Sequence, residues 1–210
     1  MATPFDQSRY QVRFEWGATG LERLAPADVV VVVDVLSFST AVADLVATGA
    51  RVPLDDRALA ASRNGAPIAR RAAESGAVVL LGCLRNATAV ADAVMAEQQR
   101  RGQRTSIAVL AAGELSSASD AEARFAVEDQ LGAGAIIDAL GARGIDHTAP
   151  EAAAACESFR GLKGALRHLL TASGSGQELL ETGRREDVLH AAERDAVAVA
   201  PRLVDGVFTA

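Results

Sequence analysis

The sequence predicts an α/β fold, a three-layer α/β/α arrangement around a mostly parallel (mixed) central sheet. The first observation is a run of five consecutive valines, Val29–Val33. An apolar run without polar alternation is typical of a strand that is buried on both faces, as in parallel sheets. The second observation is that segments with helical spacing follow the apolar runs, and this alternation along a chain predicts a layered α/β domain.

Each predicted strand follows from its own pattern. Residues 10–16 alternate apolar and polar side chains, which predicts a half-exposed edge strand. The valine run is the central strand, and further apolar segments predict strands at residues 51–54, 77–82 and 106–113, with short final strands at 197–200 and 207–208.

The helices are predicted from their start and stop signals and from apolar spacing. Ser39 or Thr40 is a natural N-cap for a helix that ends before Gly49, and Pro67 suits the first turn of a helix that runs to Glu74. Further helical patterns cover residues 87–101, 130–140, 150–170 and 176–192. A loop rich in Ser, Ala and Asp is predicted for residues 115–122.

Two glycines inside the helix at residues 130–140 call for an explanation. Gly132 and Gly134 each cost about 1 kcal/mol relative to alanine in a helix interior. Such a pair indicates either close packing or a backbone that a ligand approaches.

Composition limits the classes of function. The 210 residues are 50% hydrophobic, which predicts a single α/β domain over residues 1–210. The net charge is −6 and no basic run exceeds a pair, so we expect neither a nucleic-acid partner nor an anionic membrane surface. No apolar run is long enough for a transmembrane helix. The N-terminus lacks a signal pattern, and Cys83 and Cys156 are interpreted as reduced, structural thiols in a cytoplasmic protein.

Polar residues follow three of the apolar strands, at or just beyond the carboxyl end of each. These residues are Asp34, Asn86 and Glu114, and Glu128-Asp129 stands near the start of the helix after the third strand. If the strands are parallel neighbours, these side chains converge on one rim, where several carboxylates are stable mainly with a cation between them.

Oxygen ligands of this kind suit Mg²⁺, completed by a substrate phosphate. Asp34, Glu114, Glu128 and Asp129 are the candidate metal ligands, and Asp34, Glu114 and Asp129 the candidate catalytic residues. The alternative is that acids near helix starts only complement the helix macrodipole.

Substrate-binding candidates lie around the same rim. Hydroxyls at Ser37, Ser39 and Thr40, with the N–H groups of a helix start, would hold phosphate oxygens. Arg85 is the best cation for a substrate anion, although a solvated loop arginine is an equally good interpretation. Gly174-Ser175-Gly176 is either a phosphate loop or only a turn.

At these residues the sequence resembles the 2-phosphosulfolactate phosphatase (ComB-like) family. The resemblance rests on six blocks in order: VVVDVLSFSTAV, SRNGAPIA, GCLRNATAVA, AAGE, AVEDQLGAGAII and SGSGQELLETGRREDV. It implies an α/β/α layered fold and Mg²⁺-dependent hydrolysis of a phosphate monoester that carries further acid groups. Residue by residue, it implies site roles for Asp34, Asn64-Gly65, Asn86, Glu114 and Glu128-Asp129.

The sequence departs from the family pattern at three places. Ser37 stands where members often have Arg, and Ala66 stands where the family usually has Thr or Ser. Residues 52–63 replace a longer connection that includes a Gly-Asn-Ser-Pro stretch. Either part of the site has been lost, or the sequence lacks a loop.

Three functions are therefore weighed. The first is a Mg²⁺-dependent phosphatase of a small acidic hydroxy-acid phosphate, similar to 2-phosphosulfolactate. The second is a non-catalytic protein that binds a phosphorylated or sulfonated acid, and the third is a dimeric scaffold. A homo-oligomer is compatible with all three.

Overall fold

The computed structural model describes residues 3–115 and 123–210. The strands are β1 (Val12–Trp16), β2 (Val29–Val33), β3 (Val52–Pro53), β4 (Val78–Gly82), β5 (Ile107–Ala111), β6 (Arg202–Val204) and β7 (Val207–Thr209). The helices are α1 (Gly17–Arg23), α2 (Phe38–Ala47), α3 (Asp56–Ala61), α4 (Gly65–Glu74), α5 (Ala87–Arg101), α6 (Val127–Gly141), α7 (Pro150–Leu162), α8 (Leu166–Ala172), α9 (Gly174–Glu181) and α10 (Arg185–Ala191). Residues 116–122, most of the predicted Ser/Ala/Asp loop, lie outside the described residues.

The strands form one mixed sheet in the order β1-β5-β2-β4-β6-β7-β3. β1, β5, β2 and β4 pair in parallel, and β6, β7 and β3 extend the sheet through antiparallel pairings. Val33 of β2 lies opposite Ala111 of β5 on one side and Gly82 of β4 on the other. The carboxyl ends of these three strands therefore lie side by side at one edge of the sheet.

Helices cover both faces of the sheet, and the valines of β2 pack against the helices on both faces. Val29, Val31 and Val33 belong to one apolar core, with residues of α5, α6 and α7. Val30 and Val32 belong to a second core on the opposite face, with residues of α2 and α4. Since successive side chains of a strand point to opposite faces, β2 needs a β-branched apolar residue at every position. The predicted three-layer α/β/α fold is confirmed.

The chain leaves β2 and β5 towards opposite faces of the sheet. After β2, α2 packs Val42 and Val46 into the second core. After β5, α6 packs Leu131 and Ile136 into the first core. A crevice forms at the carboxyl ends of parallel strands where the chain diverges in this way, and ligands bind there in open α/β sheets.

Most predicted elements are found close to their predicted positions, and α5 has the predicted bounds. The edge position of β1 is confirmed by the strand order. The glycines of α6 are explained by close packing. A Cβ on Gly132 would lie 2.6 Å from Val35 Cγ2, and one on Gly134 would lie 2.2 Å from the Ala155 carbonyl oxygen.

The strand predicted at residues 197–200 was wrong. The backbone of this segment makes no ladder with a strand in the described part of the chain. Val197 N donates to the Arg85 carbonyl at 2.8 Å, and the Val199 carbonyl accepts from the Asn86 side chain, Nδ2, at 3.0 Å. On the side away from β2, β4 pairs with β6. Helices α1 and α3 were not predicted, and the helical region at 150–170 is divided into α7 and α8.

No helix in the described part of the chain is both long and apolar enough to cross a membrane. Both cysteines, Cys83 and Cys156, are buried and free of disulfide bonds.

Candidate functional site

A cleft of about 610 Å³ lies at the carboxyl ends of β2 and β5. One wall comes from the turn after β2 and from the connection between α3 and α4. The other wall comes from the chain that follows β5 and from the start of α9. The charged and polar residues that line it are Asp34, Ser37, Ser62, Arg63, Asn64, Glu114, Arg124, Ser175 and Glu178.

Asp34 is the buried carboxylate at the base of the first wall, directly after β2. Its Oδ1 accepts from the Phe38 N–H at 3.2 Å, and its Oδ2 accepts from the Gly65 N–H at 3.0 Å. The side chain thus accepts an N–H of the first turn of α2 and joins this turn to the start of α4. Burial raises the pKa of Asp34 and the nearby charge of Glu128 raises it further, whereas the two N–H donors lower it.

The connection between α3 and α4 is fastened to both strand ends. Ser62 Oγ donates to Asp34 Oδ2 at 3.4 Å and accepts from the Ala66 N–H at 3.1 Å. Asn64 Nδ2 donates to the Gly113 carbonyl at 2.8 Å, beyond the end of β5. These bonds hold the wall of the cleft against the turns after β2 and β5.

Asp129 does not line the cleft and is buried in the first turn of α6. Its Oδ1 accepts from the Val35 N–H at 2.7 Å and its Oδ2 accepts from the Gly113 N–H at 2.9 Å. One carboxylate thereby links the ends of β2 and β5. Burial raises the pKa of Asp129 well above its ordinary value, and the charges of Asp34 and Glu128 add to this effect.

Glu114 forms part of the opposite wall. Its backbone pairs with that of Arg124, whose guanidinium lies 3.3 Å from Glu114 Oε2. Ser175 Oγ, in the first turn of α9, donates to Glu114 Oε1 at 3.1 Å. The Glu114 carboxylate is therefore held at the cleft by a cation and a hydroxyl.

The predicted group of four acids is only partly assembled around a common space. Asp34 and Glu114 line the cleft, whereas Glu128 and Asp129 are buried and do not line it. Within residues 3–115 and 123–210, no three His, Cys, Asp or Glu side chains form a metal site by themselves. Of the four candidate ligands, two or more of which were expected to hold the ion, only Asp34 and Glu114 line the cleft.

The described residues do include oxygen atoms of the kind that a cation with few protein ligands would use. Two buried oxygens, Asn64 Oδ1 and Glu128 Oε2, accept no hydrogen bond from any described residue. Buried oxygens of this kind are normally satisfied, so each one calls for a partner such as a water or an ion. Mg²⁺ keeps several waters and needs only one or two carboxylates beside a substrate phosphate.

The predicted hydroxyl cluster is divided between the cleft and the protein interior. Ser37 lines the cleft. Ser39 Oγ donates to the Val32 carbonyl at 3.1 Å, and Thr40 Oγ1 donates to the Val35 carbonyl at 2.8 Å. Both side chains are buried. Their hydroxyls stabilise the turn from β2 to α2, and the structure does not bring them to the cleft.

Arg85 and Asn86 also lie away from the cleft, contrary to our prediction. The buried Arg85 side chain pairs with Asp44 at 3.1 Å and with Glu193. Asn86 is fully buried; its Oδ1 accepts from the Cys83 N–H at 2.9 Å and its Nδ2 donates to the Leu81 carbonyl at 3.2 Å. Arg85 joins the turn after β4 to α2 and to the chain after α10, and Asn86 joins it to the end of β4. Neither side chain lines the cleft.

Several residues of the cleft were not singled out in the sequence as site residues. Ser62 and Arg63 directly precede the Asn64-Gly65 turn, and this adjacency was a usable signal. Arg124 follows residues 116–122, and its contact with Glu114 could not be predicted from spacing. Ser175 was considered only as part of a phosphate loop, and its hydroxyl instead contacts Glu114.

Comparison with known proteins identifies relatives of this chain. Residues 53–206 match the model of a family described as 2-phosphosulpholactate phosphatase. The matched region includes Asn64, Glu114, Glu128 and Asp129, and it begins after Asp34. A probable 2-phosphosulfolactate phosphatase of Gloeobacter violaceus is 36% identical over 81 residues, which is 39% of this chain and 33% of the relative.

A second relative has the same printed name and comes from Synechocystis sp. It is 36% identical over 92 residues, which is 42% of this chain and 38% of the relative. The alignments therefore span 33% and 38% of the length of these two relatives. The family match covers most of the chain, and it decides the assignment: this chain belongs to the 2-phosphosulpholactate phosphatase family.

Proposed function

We propose that the protein is a Mg²⁺-dependent phosphoric monoester hydrolase that acts on 2-phosphosulfolactate or a closely similar phosphorylated hydroxy acid. The observation that carries this proposal is the cleft at the ends of β2 and β5, where Asp34, Asn64 and Glu114 face one space. The family assignment and the names of the two relatives support the reaction and the substrate class.

Asp34 is the proposed reactive carboxylate. It lies in the cleft wall at the end of the central strand, and two N–H donors fix its orientation. Burial raises its pKa, which makes the ionised form a stronger base. It would either accept a proton from the water that attacks phosphorus or attack phosphorus itself. If Asp34 activates water, the water oxygen bonds to phosphorus as the ester P–O bond breaks, and the alcohol and inorganic phosphate are released together. If Asp34 attacks phosphorus, the ester P–O bond breaks as the Asp34–phosphorus linkage forms and the alcohol leaves first; water then hydrolyses this acyl phosphate, which releases inorganic phosphate and restores the carboxylate.

The proposed ligands for Mg²⁺ are the cleft carboxylates of Asp34 and Glu114 together with the unpartnered Asn64 Oδ1. The ion would offset the charge of the phosphate group when it is bound. Ser37 lines the same space and would donate a hydrogen bond to a phosphate oxygen. Asp129 would hold the two strand ends at a fixed separation.

A cytoplasmic location is part of this proposal. Buried free thiols at Cys83 and Cys156 are typical of a reducing compartment. No contact among the described residues favours the alternative of a non-catalytic binding protein. That alternative is therefore kept only as an outcome of the experiment.

The experiment measures phosphate release from a panel of phosphorylated hydroxy acids, including 2-phosphosulfolactate, with Mg²⁺ and with EDTA. We expect Mg²⁺-dependent release by the wild type and at least a ~100-fold lower kcat in Asp34→Asn. Asp56→Asn changes an exposed carboxylate on α3 and serves as the control. Thermal melting checks that the Asp34 variant is folded. Melting shifts with these ligands but no phosphate release by the wild type would instead establish a binding protein.

A further inference from the structure

We infer that Arg63 determines substrate specificity in this chain by binding the second acid group of the substrate, a carboxylate or sulfonate next to the phosphate ester. The inference rests on the proposed function. It assigns a residue that stands just before the Asn64-Gly65 turn and lines the cleft.

Among the residues that the structure describes, the two arginines of the cleft differ in their partners. The cleft lining includes Arg63 and Arg124. Arg124 is already engaged, at 3.3 Å from Glu114 Oε2. The Arg63 side chain is exposed, and within residues 3–115 and 123–210 it has neither an ion pair nor a hydrogen bond. No described residue therefore competes with an incoming anion for this arginine of the cleft lining.

The backbone around Arg63 is held in place, although its side chain has no partner among the described residues. Ser62, on one side, bonds through its hydroxyl to Asp34 and to the Ala66 N–H. Asn64, on the other side, bonds to the Gly113 carbonyl at 2.8 Å. The next residue, Gly65, donates to Asp34 at 3.0 Å. The Arg63 Cα is thus held at a constant place relative to Asp34, which reduces the entropy lost when the guanidinium binds a ligand.

The chemistry of the guanidinium matches an acid group of this kind. Its planar set of N–H donors fits two oxygens of one carboxylate or sulfonate at the same time. Asp34 and Arg63 line the same cleft. If the phosphate group of the ester is bound next to Asp34, an acid group on the neighbouring carbon would lie on the side of the cleft that carries Arg63.

The test compares two non-hydrolysable ligands that differ only in the acid group, phosphonoacetate and ethylphosphonate. Their dissociation constants are measured by calorimetry in the presence of Mg²⁺. In Arg63→Gln we expect the dissociation constant of phosphonoacetate to rise at least about 10-fold. The dissociation constant of ethylphosphonate should change by less than about 2-fold. Arg63→Lys should bind phosphonoacetate with intermediate affinity, because it keeps the charge but not the planar fork. Arg57→Gln, an exposed arginine of α3 outside the cleft lining, is the matched control.

The outcomes separate the inference from the proposed function. Equal weakening of both ligands, no weakening in Arg63→Gln, or no binding by the wild type would overturn the assignment of Arg63. If the wild type binds phosphonoacetate through Arg63 but releases phosphate from neither phosphoglycolate nor ethyl phosphate, the inference stands and the phosphatase proposal fails. If it hydrolyses both, Arg63→Gln should raise KM for phosphoglycolate selectively.

Discussion

The Gly65 backbone lies directly against the Asp34 carboxylate. Its N–H donates to Asp34 Oδ2 at 3.0 Å, and a Cβ built on Gly65 would lie 2.6 Å from that oxygen and 2.8 Å from Asp34 Cβ. The Phe38 ring would be 2.9 Å from the same position. Only a residue without a side chain allows α4 to begin this close to the end of β2, so the Asn64-Gly65 turn is required for the geometry of Asp34.

Gly65→Ala should therefore displace Asp34 or the start of α4. We expect at least a ~10-fold loss of phosphatase activity, because misplacement of a reacting group by about 1 Å has effects of that size or larger. The melting temperature should fall as well. Activity and thermal unfolding are measured on the same preparation.

The control for this substitution is Gly161→Ala near the end of α7. A Cβ at Gly161 would meet nothing within 4 Å, so the variant should be unaffected or slightly more stable. Equal activity in Gly65→Ala and the wild type would mean that the contact between Gly65 and Asp34 is not important for the reaction.

The sequence predicted the part of the site that depends on strand position. Asp34 and Glu114 follow apolar strands, and parallel neighbours bring such residues to one edge, as the cleft confirms for these two. The same reasoning failed for Asn86, which also follows an apolar strand. Its side chain turns inward to the Cys83 N–H and the Leu81 carbonyl. Strand position fixes where a backbone lies, whereas the direction of a side chain depends on which polar groups around it need partners.

Asp129 provides the second prediction, because it satisfies two buried N–H groups at once. Asp129→Ala removes the acceptor for both Val35 N and Gly113 N. We expect the free energy of unfolding to fall by about 2–5 kcal/mol, since each unsatisfied buried donor costs about 1–3 kcal/mol and relief of the buried charge offsets part of this. Urea unfolding measures the change.

Asp138→Ala is the matched control for Asp129→Ala on the same helix. Its carboxylate pairs with Arg160 at 2.7 Å, and both side chains are partly exposed to solvent. A pair of this kind contributes about 0–1 kcal/mol. Similar losses in the two variants would show that Asp129 does not have the linking role described above.

The third prediction concerns Glu97 of α5. Its carboxylate contacts Arg202 of β6, the strand that pairs with β4. Its buried carboxylate accepts from Arg100 Nε at 2.9 Å, from Arg101 Nε at 3.1 Å and from Arg202 at 3.3 Å. The hydrogen bond from Arg100 is the largest cause of a pKa lowered to about 2, although burial opposes it. A carboxyl with a lowered pKa in the folded state stabilises the protein above its ordinary pKa and loses that contribution as the pH falls.

Glu97→Gln should therefore be destabilised by about 1–3 kcal/mol at pH 7, because three arginines lose a charged acceptor. The difference from the wild type should be constant above the ordinary value of 4.5 and should shrink as the pH falls from there towards 2. Urea unfolding between pH 3 and pH 7 measures it. Glu157→Gln removes an exposed partner of Arg160 and should change stability by less than about 0.5 kcal/mol. A Glu97→Gln difference that stays the same at pH 3 and pH 7 would mean that the carboxylate charge contributes nothing, and that Glu97 acts only through packing.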